Sequence, residues 1–257
     1  MLYGKYLKIQ LKSAMEYRVT LLFDTISSML YTVASFFGIY LLFQQFETVG
    51  VYSFQDVLIT YSIICFAHSV SDCIFRGFDQ FDKLVSTGEL DRLLIRPRSI
   101  FMQVLGYKTE LTRLGRMLFC LAVLIVGLVW LPIEWTLLKV FTVIFMIVGA
   151  CVIYLALVLV YAGLCIFTVE GLEVMNIFTS GGRELSQYPL DIYHKFFKTV
   201  FTFVIPFGLV NYLPLRYLLG YTANIFYVFV PLFTILFFIL CYLFFKWSIT
   251  KYKSTGS

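Results

Sequence analysis

The chain reads as an all-α, polytopic membrane protein with six transmembrane helices, and three observations carry that reading. Of its 257 residues, 60% are hydrophobic and only 14% charged, with a mean hydropathy of +0.88. A soluble domain holds roughly 45–50% apolar and about 25% charged residues, so this chain lacks the polar surface of a soluble enzyme. Six apolar segments can be drawn along it, and the basic residues gather on one side of them.

The elements follow in order. In the N-terminal stretch, Tyr3, Tyr6, Leu7, Leu11 and Ala14 share one helical face, and Lys5, Lys8 and Lys12 share another. That pattern predicts a helix lying along a membrane surface with its lysines at anionic headgroups, within residues 1–18. The first apolar run, Val19 to Phe43, is too long for the 7–15-residue core of a signal peptide, and no small-residue cleavage site follows, so it is expected to stay as an anchor. Phe54 to Phe75 and Leu111 to Leu131 are the second and third spans. Leu137 to Thr168 is the fourth; it exceeds what a bilayer needs, so it tilts, breaks near Gly149 or Gly163, or projects. Thr199 to Leu213 is the weakest segment, with Pro206 and Gly208 in its middle. Ile225 to Phe245 is the sixth.

Two connections are long and charged, Arg76 to Glu110 and Val169 to Lys198. With these placed beside both tails, eighteen of the twenty Lys and Arg residues fall on one side, leaving Lys139 and Arg216 opposite. The positive-inside rule makes the first side cytoplasmic, with both termini there.

Chemistry is sparse. The only Gly-Lys pair, Gly4-Lys5, has no room before it for a phosphate-binding loop, and neither HExxH nor GxSxG occurs. The six cysteines lie in or beside apolar runs without a CxxC pair and read as small hydrophobes rather than disulfide or zinc ligands. The loop after the second span is richer. Phe78, Phe81, Leu84 and Val85 recur at helical spacing opposite Asp79, Asp82 and Lys83, which predicts a short amphipathic helix stopped near Gly88. Glu89, Leu90, Asp91, Arg92 and Arg96 then form a second short helix ended before Pro97. Alternating acidic, apolar and arginine positions on such a projection suit protein docking, with apolar knobs binding and charges setting register.

At Gly88 to Pro97 the sequence resembles the cytoplasmic signature of bacterial ABC-type exporter permeases of the type 2 class, more narrowly the six-span permeases grouped with drug and viologen exporters. Ser186 to Tyr193, Ile205 to Gly208 and Asn211 to Pro214 agree with it, and the order of elements matches along essentially the whole chain. The resemblance implies a non-catalytic membrane subunit driven by a separate ATPase that holds the ATP and Mg, with no cofactor on this chain. It implies that Phe78, Phe81, Leu84, Gly88, Glu89, Leu90, Asp91, Arg92 and Arg96 form a coupling element, with residues 76–110 as coupling loop, in one transmembrane domain over residues 1–257. Glu170, Glu173, Arg183 and Glu184 are further contact candidates. A second permease, related or identical, completes the pathway. With so few charges at mid-membrane, an amphipathic or hydrophobic cargo is expected in preference to an ion, and the resemblance implies that it leaves the cytoplasm.

The same resemblance implies short re-entrant helices around Pro206, Asn211, Tyr212 and Pro214, within residues 206–224, against the alternative of one kinked span. Asp24, His68 and Asp72 are the ionisable residues inside apolar runs, either lining the pathway or paired structurally, as Asp72 with Arg76 at i, i+4. An ATP-independent transporter or a membrane scaffold is the competing class; a proton-coupled transporter needs mid-membrane acids, and none is well placed in these six spans.

Overall fold

Local sequence explains where each helix begins and ends. The computed structural model describes residues 2–168 and 173–254, and all regular structure among them is helical. Helix α1 (Leu2–Glu16) meets α2 (Arg18–Gln45) at Tyr17, whose backbone leaves the helical region. A turn through Gly50, at φ 66°, leads to α3 (Phe54–Ile74). Ser53 caps α3, its backbone N–H and Oγ both donating to Asp56 Oδ2 at 2.9 Å. Four short helices follow: α4 (Arg76–Asp79), α5 (Phe81–Ser86), α6 (Glu89–Ile95) and α7 (Ile100–Leu105). Then come α8 (Leu114–Trp130), with a 3₁₀ lead-in from Leu111, and α9 (Leu137–Thr168).

Beyond α9, α10 (Val174–Asn176), a π-helical stretch (Ile177–Gly181) and α11 (Gly182–Ser186) make one continuous rod. Next, α12 (Lys195–Thr199) runs through a second π-helical stretch to Val204, and α13 (Gly208–Asn211) leads into α14 (Leu213–Leu218). These two halves, Lys195–Val204 and Gly208–Leu218, meet at 95°. The bend falls where Ile205 is extended and Pro206 has no N–H to continue a helical ladder. Finally α15 (Phe226–Phe229) continues through a 3₁₀ turn into α16 (Thr234–Thr250).

Five of these are long and apolar enough to cross a membrane: α2, α3, α8 with its lead-in, α9, and the α15–α16 rod. Helix α3 is the axis of the bundle, packed by α8, α9 and α11. Its small polar residues permit this close approach. Thr60, Ser62 and Ser69 return their hydroxyl protons to the backbone carbonyls of Val57, Ile59 and Cys65, so no donor is stranded.

The α10–α11 rod also runs along the bundle, between the end bearing the termini and the far end. Asn176, Thr179 and Ser180 share a cleft with Ser71 and Asp72 near the last turns of α3. Gln187 accepts a 2.8 Å bond from Thr60 near its first turns, and Asp191 takes the Tyr52 hydroxyl at 3.2 Å beyond its start. The rod therefore runs antiparallel to α3 along most of its length.

This corrects the sequence reading: Val169 to Lys198 is not a loop confined to the end bearing the termini, and Lys198 and Arg216 of the bent pair both lie at the far end. The sequence hid this course because the exposed side of the rod mixes Glu173, Asn176, Ser180 and Glu184 with Ile177, whereas the bent pair is more apolar. Lys195 and Lys198 accordingly move to the far end, beside Arg216 and Tyr52, and Arg183 moves inside the bundle. Arg116, in the first turn of α8, is also inside.

The fourth span is one unbroken helix. At 1.5 Å per residue its 32 residues reach about 48 Å, so it projects instead of breaking. Gly149 and Gly163 are close-approach points: a Cβ at Gly149 would lie 3.1 Å from Pro231 O, and one at Gly163 would lie 2.7 Å from the Phe244 ring. Both described termini lie at one end. Gln10 of α1 donates to the carbonyls of Gly106 and Tyr107 after α7 at 3.1 and 3.0 Å, and Ser254 donates to Asp91 of α6 at 2.7 Å. Of the predicted cysteine hydrophobes, five are buried and Cys151 is half-buried.

Candidate functional site

The α4–α7 segment forms a lever with a buried root and an exposed tip. Residues expected as one helix from Phe78 to Val85 are two, broken at Gln80, and the break lets both Phe78 and Phe81 point inward. Their rings each lie 5.7 Å from Phe245 of α16, edge-on. Leu84, Val85 and Leu90 close the same core with Leu159, Ala162 and Cys165 of α9. Gly77 is required where α4 crosses α7, since a Cβ there would come within 1.9 Å of Val104 O.

Gly88 ends α5 in the left-handed region at φ 68°, which a side chain rarely adopts. Helix α6 stops at Ile95, ahead of Pro97, and Gln103 donates to its orphan Leu93 carbonyl at 3.0 Å and to Arg98 O at 3.1 Å. Tyr107 donates to Glu89 at 2.9 Å, and Glu89 pairs with Arg92 at 3.7 Å. Burial raises the Asp79 carboxyl pKa even though Arg76 lies beside it.

Phe78, Phe81, Leu84 and Leu90 are fully buried and so are not docking knobs. Their role is to fix the lever to α9 and α16. What projects is Ile95, 83% exposed, with Leu94 and the exposed Arg92, Arg96 and Arg98 around it. Ile95 was missed because α6 is too short to show which of its apolar positions face inward; its place next to two arginines and Pro97 was the available signal.

The ionisable residues inside the bundle form a second group. His68 Nδ1 lies 3.5 Å from Asp72 Oδ2, and Asp72 is ion-paired to Arg116 of α8, whose Nε donates to Ser69 at 2.9 Å. The expected Asp72–Arg76 pair does not form, because Arg76 turns with α4 toward Asp79 and Glu110. Asp24 is on the exposed side of α2, away from this group. Across a narrow cleft, Arg183 pairs with Glu184 and donates to Tyr31 of α2 at 3.0 Å. By its register against α3, Arg183 is level with Cys65, near mid-bundle. Glu184, half exposed beside it, is the mid-depth acid that the sequence reading lacked. Glu170 lies outside the described residues.

The third group sits at the far end. Asn211 donates to Ser186 O at 2.7 Å, tying α13 to the top of the α10–α11 rod, and Pro214 is buried in the first turn of α14. Tyr212 OH accepts from Lys198 at 2.9 Å and from Arg216 at 3.1 Å, while Lys198 also pairs with Asp191. Burial opposes ionisation of Asp191, but hydrogen bonds from Lys198, Tyr212 and Tyr52 outweigh it, and its pKa is lowered.

Among the described residues no three His, Cys, Asp or Glu side chains converge as a metal site. Comparison with curated proteins and with solved structures gives no match. A family model described as ABC-2 family transporter protein matches residues 29–256. That span holds the rest of α2, the lever, the polar rod and the bent pair, and the chain accordingly belongs to the ABC-2 transporter family, as a multi-pass membrane permease.

Proposed function

We propose that the chain is the membrane half of an ATP-driven exporter whose separate ATPase grips the lever tip. The carrying observation is the contrast within α4–α7: a root locked under α9 and α16, and a tip of Arg92, Leu94, Ile95, Arg96 and Arg98 left outside. An apolar knob ringed by cations suits a groove with an acidic rim. ATP and Mg reside on the partner, which closes and opens against this tip; this chain carries no cofactor. Differential contact of the tip with the two ATPase states supplies the energy that rocks α9 and α16.

Orientation follows from charge. Fourteen of the twenty basic residues stay at the end bearing the lever and the termini after the corrections above, four lie at the far end, and Arg116 and Arg183 are inside. The lever end is therefore cytoplasmic, in a bacterial inner membrane. The bent pair is a re-entrant hairpin closing the outer end, since Lys198 on its first arm and Arg216 on its second both meet Tyr212 at that end. Lipid cannot satisfy the exposed stripe of Glu173, Asn176, Ser180 and Glu184. It faces the pathway together with a second permease, a related chain in preference to an identical one. Cargo is an amphipathic or hydrophobic molecule moved outward.

Co-purification tests the assignment. With its partner ATPase, wild-type chain should form a complex with stimulated ATP hydrolysis. Ile95→Asp combined with Arg92→Glu should abolish the complex while the chain still runs as a monodisperse peak. An intact complex with unchanged stimulation sinks the lever assignment, whereas failure of the wild-type chain to bind or stimulate the ATPase favours an ATP-independent transporter or scaffold.

A further inference from the structure

The bent pair carries a cavity whose chemistry neither the lever nor the polar stripe uses. It measures about 580 Å³, and its walls include Asp191, Lys195, Lys198, Thr202, Phe203 and Tyr212. Lys195, Lys198 and Thr202 fall at i, i+3 and i+7, so they line one face of the Lys195–Val204 helix. The other face is apolar and open: Phe196 is 64% exposed, Phe203 81% and Val204 62%. A helix with that division lies at the boundary between headgroups and acyl chains.

Inside the cavity the charges are unequally engaged. Lys198 is held by Asp191 and by Tyr212, with its ammonium 4.4 Å from the Tyr212 ring centroid. Lys195 has no ion-pair partner among the described residues. Two lysines against one carboxylate leave a lining charge of +1. These cations also oppose the general distribution: of the four basic residues at the far end, Lys195, Lys198 and Arg216 cluster on this one hairpin.

We propose that this cavity binds the anionic phosphodiester headgroup of a membrane lipid, with Lys195 contacting phosphate oxygens and the acyl chains passing over Phe203 and Leu213. Lys198 is pre-positioned by Asp191 and Tyr212, so it presents charge without a large ordering cost. Asp191 disfavours a second negative charge, which selects a monoanionic diester over a phosphomonoester. The apolar wall selects a lipid over a soluble phosphate. This inference stands apart from the ATPase assignment.

Native mass spectrometry of the full-length chain released from detergent tests it, with dimyristoylphosphatidylglycerol, dimyristoylphosphatidylcholine and glycerol 3-phosphate as probes. Wild type should retain phosphatidylglycerol at least about fivefold better than phosphatidylcholine, the effect of one lysine at an anionic lipid. Lys195→Gln should erase that preference, whereas Lys251→Gln, at the opposite end, should preserve it. Equal retention of the two lipids by wild type, or an equal loss in Lys251→Gln, overturns the site. Glycerol 3-phosphate competing as well as the lipid overturns the lipid assignment.

Discussion

Replacing Phe245 with alanine removes the post on which the lever rests. The side chain is 2% exposed and contacts both Phe78 and Phe81 edge-on at 5.7 Å. Truncating a buried phenylalanine costs about 3–5 kcal/mol, and the lower end applies because a lever at the bundle's margin can partly collapse into the gap. If that loss is local, opening of α5 becomes easier by ~3 kcal/mol, roughly a hundredfold in exchange rate. Hydrogen–deuterium exchange on purified chain should therefore show amides of Phe81–Ser86 accelerated about a hundredfold, with α3 unchanged. Phe245→Leu, which restores volume, should recover most of the protection. Acceleration below tenfold in Phe245→Ala would mean that the lever is held elsewhere, and the separation of anchored root from free tip would be wrong.

Other outcomes follow from the same geometry. Gly163→Val should drive α16 from α9 and lower the thermal midpoint in detergent well beyond Gly38→Val, because a Cβ at Gly163 already meets Phe244 at 2.7 Å while Gly38 has open space. Asp72→Asn leaves Arg116 buried without its carboxylate and should destabilise by about 3 kcal/mol, whereas Asp24→Asn, on the exposed side, should change the midpoint little; paired melts decide this. The Asp191–Lys198 pair should stabilise the hairpin across neutral pH. Asp191 has a lowered pKa, so its contribution is present above the ordinary 3.8 and lost as pH falls through its folded value. Lys198 has a raised one, so its contribution is present below 10.5 and lost as pH rises through its folded value. The midpoint difference between wild type and Asp191→Asn should be flat in that window and shrink on the acid side; a difference that grows in acid contradicts the pairing.

Much of the fold was legible because single residues impose it. Gly88 and Pro97 mark the ends of α5 and α6, and Pro206 marks the bend, since each restricts the backbone whatever surrounds it. The course of the α10–α11 rod was illegible for a matching reason. Hydropathy assumes lipid as solvent, and the exposed side of the rod mixes Glu173, Asn176, Ser180 and Glu184 with Ile177, so it gives no continuous apolar signal. Amphipathic spacing found the lever's apolar face but not its neighbour: Phe78 and Phe81 look alike whether they bind a partner or their own α16. Asp72 was identified as a pairing residue but given the nearest arginine, while the true partner, Arg116, comes from 44 positions away.

The unbroken course of α9 has one more consequence. Near its outer third, Gly149 touches Pro231 and Val210 beside the hairpin; near its inner end, Ala162 and Cys165 touch the lever. A rod clamped at two such points has no slack in which a displacement could be stored. If the lever is driven as proposed, its motion would reach the hairpin through this one helix, and both ends would move in the same stroke.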